Sequence, residues 1–280
     1  MKVIGKNLEL QGKIGVSIYA ETYALCNRAY AVTTINGDEI ESEIEQTYNG
    51  LIVTVFVKPK ELHDEITMRF YGSGTPIPLI TGEEELTFSV ADIAKQYQNK
   101  VFDKETQELA EAIVNYGSYA QKMLKYNTSS AQVTDTLGDV TKADVADYKT
   151  VTSGKVTGLT YQGNGLTLNA DTVLGVYFKV SRGYDLADYS FTLDGKKIEP
   201  VDAGSGFCYL EIEGIKAKDL GKNYSIVVKK GSSKFEVKTS VLSWAEQVLG
   251  GNGSDTATVN MAKMVYRYSE KANAYFAANE

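Results

Sequence analysis

Apolar and polar positions run through the same order twice, with strand-like periods first and helix-like stripes last. Leu51–Val57 is a β-branched run, while Glu65–Tyr71 and Glu85–Val90 alternate apolar with polar residues, which predicts half-buried strands. Tyr30–Ile35 and Glu39–Glu45 flank Asn36-Gly37, a dipeptide that accepts positive φ and predicts a two-residue hairpin. Farther on, Tyr209–Glu213, Tyr224–Lys229 and Lys234–Thr239 repeat the strand pattern. Helical spacing follows each set. Leu109, Ile113, Tyr116, Ala120, Met123 and Leu124 form one stripe, and Met261, Val265, Tyr268, Ala272, Tyr275 and Phe276 form another. Asp103 and Asp255 stand where an N-cap would accept the free first-turn amides. A shorter helix is expected before each, over Val90–Gln98 and Val241–Leu249.

The recurrence extends to identities. An offset of 158 residues places Leu8, Leu10 and Tyr19 on Leu166, Leu168 and Tyr177, and Lys58, Lys60 and Leu62 on Lys216, Lys218 and Leu220. An offset of 151 to 152 places Ser89, Val90 and Ala94 on Ser240, Val241 and Ala245, and Ala110, Tyr116 and Ala120 on Ala262, Tyr268 and Ala272. The change of offset implies that six or seven residues are missing from the second copy, opposite the stretch between Gly72 and Phe88. Internal duplication is the expectation: unit one over 1–127, a polar linker over 128–149 and unit two over 150–280. The fold class expected is mainly β with appended helices (α+β), as two tandem units. Each would be an antiparallel β-sandwich followed by a helical hairpin.

One passage sharpens this expectation. Cys208 to Val228 resembles the strand E, corner, strand F passage of immunoglobulin-like and fibronectin type III-like domains, with Tyr224 standing where a tyrosine corner would bond back to the upstream chain. The aligned residue in unit one is Ile66, so the corner bond is expected in unit two alone.

Composition narrows the function classes. A hydrophobic content of 43% in 280 residues excludes low-complexity disorder, and two cysteines exclude a disulfide scaffold. No apolar run is long enough to span a membrane, the first residues hold no apolar signal region, and no membrane insertion is expected. A net charge of −7 argues against nucleic acid as a partner. The deficit is uneven, with 12 Lys and Arg against 18 Asp and Glu in 1–127 but 17 against 18 in 128–280.

Candidate chemistry is sparse. His63 is the single imidazole, so any Ser-His or Cys-His mechanism would have to use it. Gly221 aligns with it, which predicts an exposed loop residue whose removal is nearly neutral. Cys26 and Cys208 belong to no CxxC motif and supply too few ligands for zinc; a disulfide or two independent buried thiols both fit them. The glycine stretches 72–74, 163–165, 204–206 and 250–253 lack the spacing of a phosphate cradle and read as turns. The segment 138–147 has acidic residues but neither the central Gly nor the closing Glu of a calcium loop. Glu41, Glu43 and Glu45 recur at period two, as on the solvated face of a strand. Trp244 aligns with Ile93 and reads as core. Tyr19, Tyr116, Tyr177 and Tyr268 are shared by both units and read as structural. The unshared Tyr23, Tyr30, Tyr48, Tyr71, Tyr161, Tyr184 and Tyr189 are the candidates for a ligand surface. No catalytic, cofactor-binding or metal-ligating residue is assigned, and no cofactor is expected.

Leu8–Tyr19, Val57–Leu62 and Asn115–Gln121 resemble repeat modules of large secreted or cell-wall proteins of gut anaerobic Gram-positive bacteria. The resemblance implies an extracellular or cell-wall location, a larger parent chain with other domains, and no established activity. The resulting expectation is a non-enzymatic adhesion, binding or spacer module for an unknown protein or glycan ligand. The alternative is a carbohydrate-binding accessory or glycosidase-like domain, which a concave cleft lined by unshared tyrosines and paired carboxylates would favour.

Overall fold

The computed structural model describes residues 1–280 except 11, 12, 23–28, 100, 170, 252, 253 and 280. It divides into two compact units, 1–135 and 136–280, each mainly antiparallel sheet with two α-helices at its end.

Unit one contains β1 (Lys2–Glu9), β2 (Gly15–Glu21), β3 (Ala29–Ile35), β4 (Asp38–Ile40), β5 (Ser42–Thr47), β6 (Gly50–Phe56), β7 (Ile66–Gly72), β8 (Thr75–Ile77) and β9 (Leu86–Phe88), then α1 (Val90–Tyr97) and α2 (Lys104–Leu124). One sheet runs β1-β2-β6-β5 and the other β4-β3-β7-β8, with β9 also paired to β7. Alternate residues of the central strands, Val16 and Ile18, Val53 and Val55, Ile66, Met68 and Phe70, are almost wholly buried and make the core. Asn36 and Gly37 both take positive φ, 54° and 88°, so the β3–β4 hairpin turns as its dipeptide predicts. The expected strand Glu39–Glu45 is broken at Glu41, where the chain leaves β4 and enters β5 in the other sheet. Glu43 and Glu45 therefore share a face of β5, and Glu41 lies in the connection. Asp103 caps α2, its carboxylate accepting the Thr106 N–H at 2.8 Å.

Unit two contains β10 (Val151–Gly154), β11 (Leu159–Leu168), β12 (Thr172–Val180), β13 (Ser190–Leu193), β14 (Lys196–Ile198), β15 (Val201–Gly204), β16 (Phe207–Ile215), β17 (Tyr224–Lys230) and β18 (Ser233–Thr239), then α3 (Val241–Gly250) and α4 (Thr256–Asn279). Its sheets run β11-β12-β16-β15 and β10-β18-β17-β13-β14. Apart from β10, this is the strand order of unit one. The long strand β18 stands where unit one has the two short strands β8 and β9. Phe235 and Thr239 pair with Val228 and Tyr224, whereas Ile77 and Phe88 pair with Phe70 and Ile66. The extra residues implied by the change of offset leave the sheet between Ile77 and Leu86, in a loop closed by the Leu79 N–H on the Glu83 carbonyl at 2.8 Å.

The segment 128–149 is not a free linker. Its first part is bonded to α2: Asn115 Oδ1 accepts the Thr134 and Asp135 amides at 2.9 and 3.1 Å, and Ser118 Oγ accepts Gln132 N–H at 2.9 Å. Its second part buries Leu137, Val140 and Val145 in unit two, and Arg267 holds both Asp139 oxygens at 2.5 and 2.6 Å. The boundary accordingly falls between Asp135 and Thr136. Polar composition had suggested a tether, but its few apolar residues are enough to fix it to the units.

Candidate functional site

His63 is not an exposed loop residue. A 3-10 turn, Pro59–Glu61, packs on α2 at Gly117, where a Cβ would sit 2.5 Å from Leu62 Cδ1. This close approach lays His63 against the helix, half-buried, with Nε2 2.9 Å from Ser118 Oγ. Ser118 is wholly buried, gives its proton to the Val114 carbonyl at 3.0 Å and accepts Gln132 N–H, so the imidazole donates. Burial lowers the imidazole pKa below its ordinary value, opposed by the Val114 carbonyl. This pair has no substrate-facing nucleophile; it fastens a loop. In unit two, a Cβ on Gly221 would lie 2.8 Å from the Tyr148 ring, so a side chain there would have to displace that ring.

The next residue, Asp64, is buried and accepts from Tyr126 Oη at 2.5 Å, Asn127 Nδ2 at 2.8 Å and Asn36 Nδ2 at 3.1 Å. The Tyr126 phenol is pushed up to about 12 by burial and by Asp64. Trp244 is core, at 8% exposure. Tyr224 is buried as a ring, but its hydroxyl makes no hydrogen bond among the described residues, so the tyrosine-corner bond is absent. Asp139 and Asp144 of the acidic segment are taken up by Arg267 and by Thr141. No group of three or more His, Cys, Asp and Glu among the described residues could hold a metal ion, and no described helix is long and apolar enough to cross a membrane. Cys208 is a buried free thiol, pushed up to about 11 by burial and then by Asp202; Cys26 lies outside the described residues.

The candidate tyrosines separate by environment. Tyr23 lies outside the described residues. Tyr30 and Tyr71 stack across β3 and β7 at 5.2 Å, and Tyr48 stands fully exposed at the β5–β6 turn. Tyr161 is tied to Asn164 and Gln247 at 2.9 Å each, and Tyr189 donates to the Thr157 carbonyl at 2.8 Å, so both are structural. Tyr177, read as structural, is 37% exposed, because its ring lies on the outer sheet face over Gly165 and Gly175. A Cβ on either glycine would come within 2.9 Å of that ring.

Tyr184 borders a cleft of about 520 Å³ at one end of unit two. One wall is the turn Ser181-Arg182-Gly183-Tyr184, closed by Tyr184 N–H on the Ser181 carbonyl at 3.1 Å, with Gly183 at φ 90° as a type II turn requires at its third position. Asp185 then caps the next turn through Ala187 N–H at 3.0 Å. The other wall is the β15–β16 hairpin tip, where Asp202 accepts Gly204 N–H at 2.8 Å and residues 204, 205 and 206 all have positive φ. Each wall is pinned by a backbone bond: the first by Ser181 N–H on the Gly158 carbonyl, just before β11, at 2.8 Å, and the second by Val180 N–H, at the end of β12, on the Gly206 carbonyl at 2.7 Å. Phe207, 38% exposed under the Lys179 ammonium at 4.9 Å, lines the cleft, as does the buried Cys208. The cleft thus holds one unshared tyrosine and the carboxylates Asp185 and Asp202, both exposed.

No family model and no characterised protein matches the chain in sequence. Among solved structures, a chimeric titin Z1Z2-Z1Z2 tandem, functionalized with an exogenous GRGDS peptide from fibronectin, is similar at 10% identity and a TM-score of 0.20. The match covers 82% of this chain and 90% of that one.

Proposed function

We propose that the chain is a non-enzymatic extracellular binding module of a bacterial surface or secreted protein. It is built as a tandem pair of immunoglobulin-like antiparallel sandwiches, each closed by a helical hairpin. The shared strand order and the displaced β8–β9 loop support the duplication, and the sequence resemblance supports the location. Binding is favoured over a spacer role by one observation, the fixed cleft between Tyr184 and Phe207. Its volume lies in the range of small-molecule sites, about 300–1,000 Å³.

The same cleft raises the glycosidase-like reading, since two carboxylates border it. Hydrolysis needs one carboxyl group shielded enough to stay protonated. Asp185 and Asp202 are both open to water and each is engaged with a backbone N–H, which favours recognition. A glycan and host-protein binding screen on the purified chain, run beside a panel of chromogenic glycosides, tests this. Saturable binding without turnover is expected; turnover lost in Asp202→Asn or Asp185→Asn would overturn it, as would a complete failure to bind.

A further inference from the structure

We propose that the unit-two cleft takes an uncharged, linear oligosaccharide, with sugar rings set against the exposed parts of Tyr184 and Phe207 and hydroxyls held by Arg182, Asp185 and Asp202. This rests on the binding reading above and gives it a ligand class.

Charge comes first. The cleft carries Lys179 and Arg182 against Asp185 and Asp202, so a ligand of either sign would meet two like charges. A hydroxyl both donates and accepts and satisfies both kinds of group. The polar groups are also available. Arg182 has no partner among the described residues, and each carboxylate uses only Oδ1 on a backbone amide, leaving Oδ2.

Rigidity is the second argument. Tyr184 rests against Gly158, where a Cβ would fall 2.4 Å from its Cγ, and the Lys230 ammonium lies 4.6 Å from its ring centre. Phe207 likewise has the Lys179 ammonium 4.9 Å from its ring centre, so two rim rings, 41% and 38% exposed, are already in place, each with one face taken by an ammonium and the rest of its exposed surface open to a ligand.

Length follows from the sheet. Phe207 and Tyr209 are two apart on β16 and face the same way. Tyr209 pairs with Tyr177, its ring 5.5 Å away. Beyond the rim, then, the outer face continues as an aromatic shelf along which a chain of sugars would run.

The test is calorimetric titration of the full chain with cello-, xylo- and manno-oligosaccharides of increasing length, with uronic-acid-bearing oligosaccharides, and with a basic peptide. Binding of at least one neutral series is expected. Phe207→Ala and Arg182→Ala should each weaken it tenfold or more with an unchanged thermal midpoint, and Tyr209→Ala should weaken only the longer chains. Preference for the acidic sugars or the peptide, neutral binding indifferent to both cleft variants, or no binding to any probe would overturn the inference. A protein ligand sensitive to Arg182→Ala, with no sugar bound, would overturn it while leaving the binding module standing. Hydrolysis of a bound neutral sugar would support the ligand class and overturn the non-enzymatic reading.

Discussion

His63 Nε2 lies 2.9 Å from the Oγ of Ser118, a side chain with no exposure to solvent. The contact joins the loop before β7 to the middle of α2, and one partner is buried where water cannot replace the lost donor. Removing the imidazole should therefore cost about 1–2 kcal/mol, against the near-neutral change an exposed residue would show. Chemical denaturation of His63→Ala checks this. An unchanged midpoint would mean that the Ser118 acceptor is satisfied without His63.

The same histidine sets a pH dependence. Its folded-state pKa is lowered by burial, so the unfolded chain binds the proton more tightly. The contribution is complete above roughly pH 6.5 and is lost as the pH falls through the depressed folded value. Lys95, which lowers the value, and Asp92 and Asp64, which raise it, are the charges acting on the ring. Wild-type stability should fall between pH 7 and 5 more steeply than that of His63→Gln. Asp103, held low by the Thr106 amide, gives its own loss only below about pH 4, so the two effects separate in a pH series of melting curves.

How much could be read in advance depended on whether the signal was local. Asn36-Gly37, the Asp103 cap and the stripe from Leu109 to Leu124 each act within a few residues, and each element formed there. The change of offset between Gly72 and Phe88 located the loop that separates β8 from β9. Recurrence marks Tyr177 as structural but alternation does not say which face meets the core; Gly165 and Gly175 beneath its ring mark it as outward. Glu39–Glu45 looks like one strand although the chain changes sheets at Glu41. The cleft was illegible for a further reason. Arg182 and Tyr184 are about twenty residues from Asp202 and Phe207, and it is the pairing of β12 with β16, as far as Lys179 and Phe207, that brings the two walls together.

Asp64 offers a test of unit one's buried polar network. Three donors converge on it, and two of them, Tyr126 and Asn127, follow α2. Asp64→Ala leaves those donors unpaired near the helix end and should lower stability by about 2–3 kcal/mol. Hydrogen exchange should show faster opening of the amides between 126 and 135. Loss of stability without faster exchange there would place the effect elsewhere.

Cys208 should be inert. At 1% exposure, with its thiol pushed up to about 11, it presents almost no thiolate near neutrality. In a Cys26→Ser background, native protein should not react with iodoacetamide over hours, and denatured protein should take up one equivalent. Rapid native labelling would show that the strand end around Cys208 opens.

Gly158 is the position on which the cleft's geometry turns. Its φ is 84°, and a Cβ would lie 2.4 Å from Tyr184 Cγ and 2.6 Å from the Tyr189 hydroxyl. A side chain there is strained by the backbone and by two rings at once. Gly158→Ala should destabilise unit two by roughly 1–3 kcal/mol and displace Tyr184, since Tyr189 is held by the Thr157 carbonyl and the Tyr184 ring is the more exposed. Ligand affinity should drop with it. Gly183→Ala, with φ 90° but no atom within 4 Å of the added Cβ, supplies the control: backbone strain of similar size without the clash. If both variants lose stability and only Gly158→Ala loses binding, Tyr184's seat on the glycine is what shapes the cleft. Equal loss of binding in both would instead assign the effect to the turn backbone.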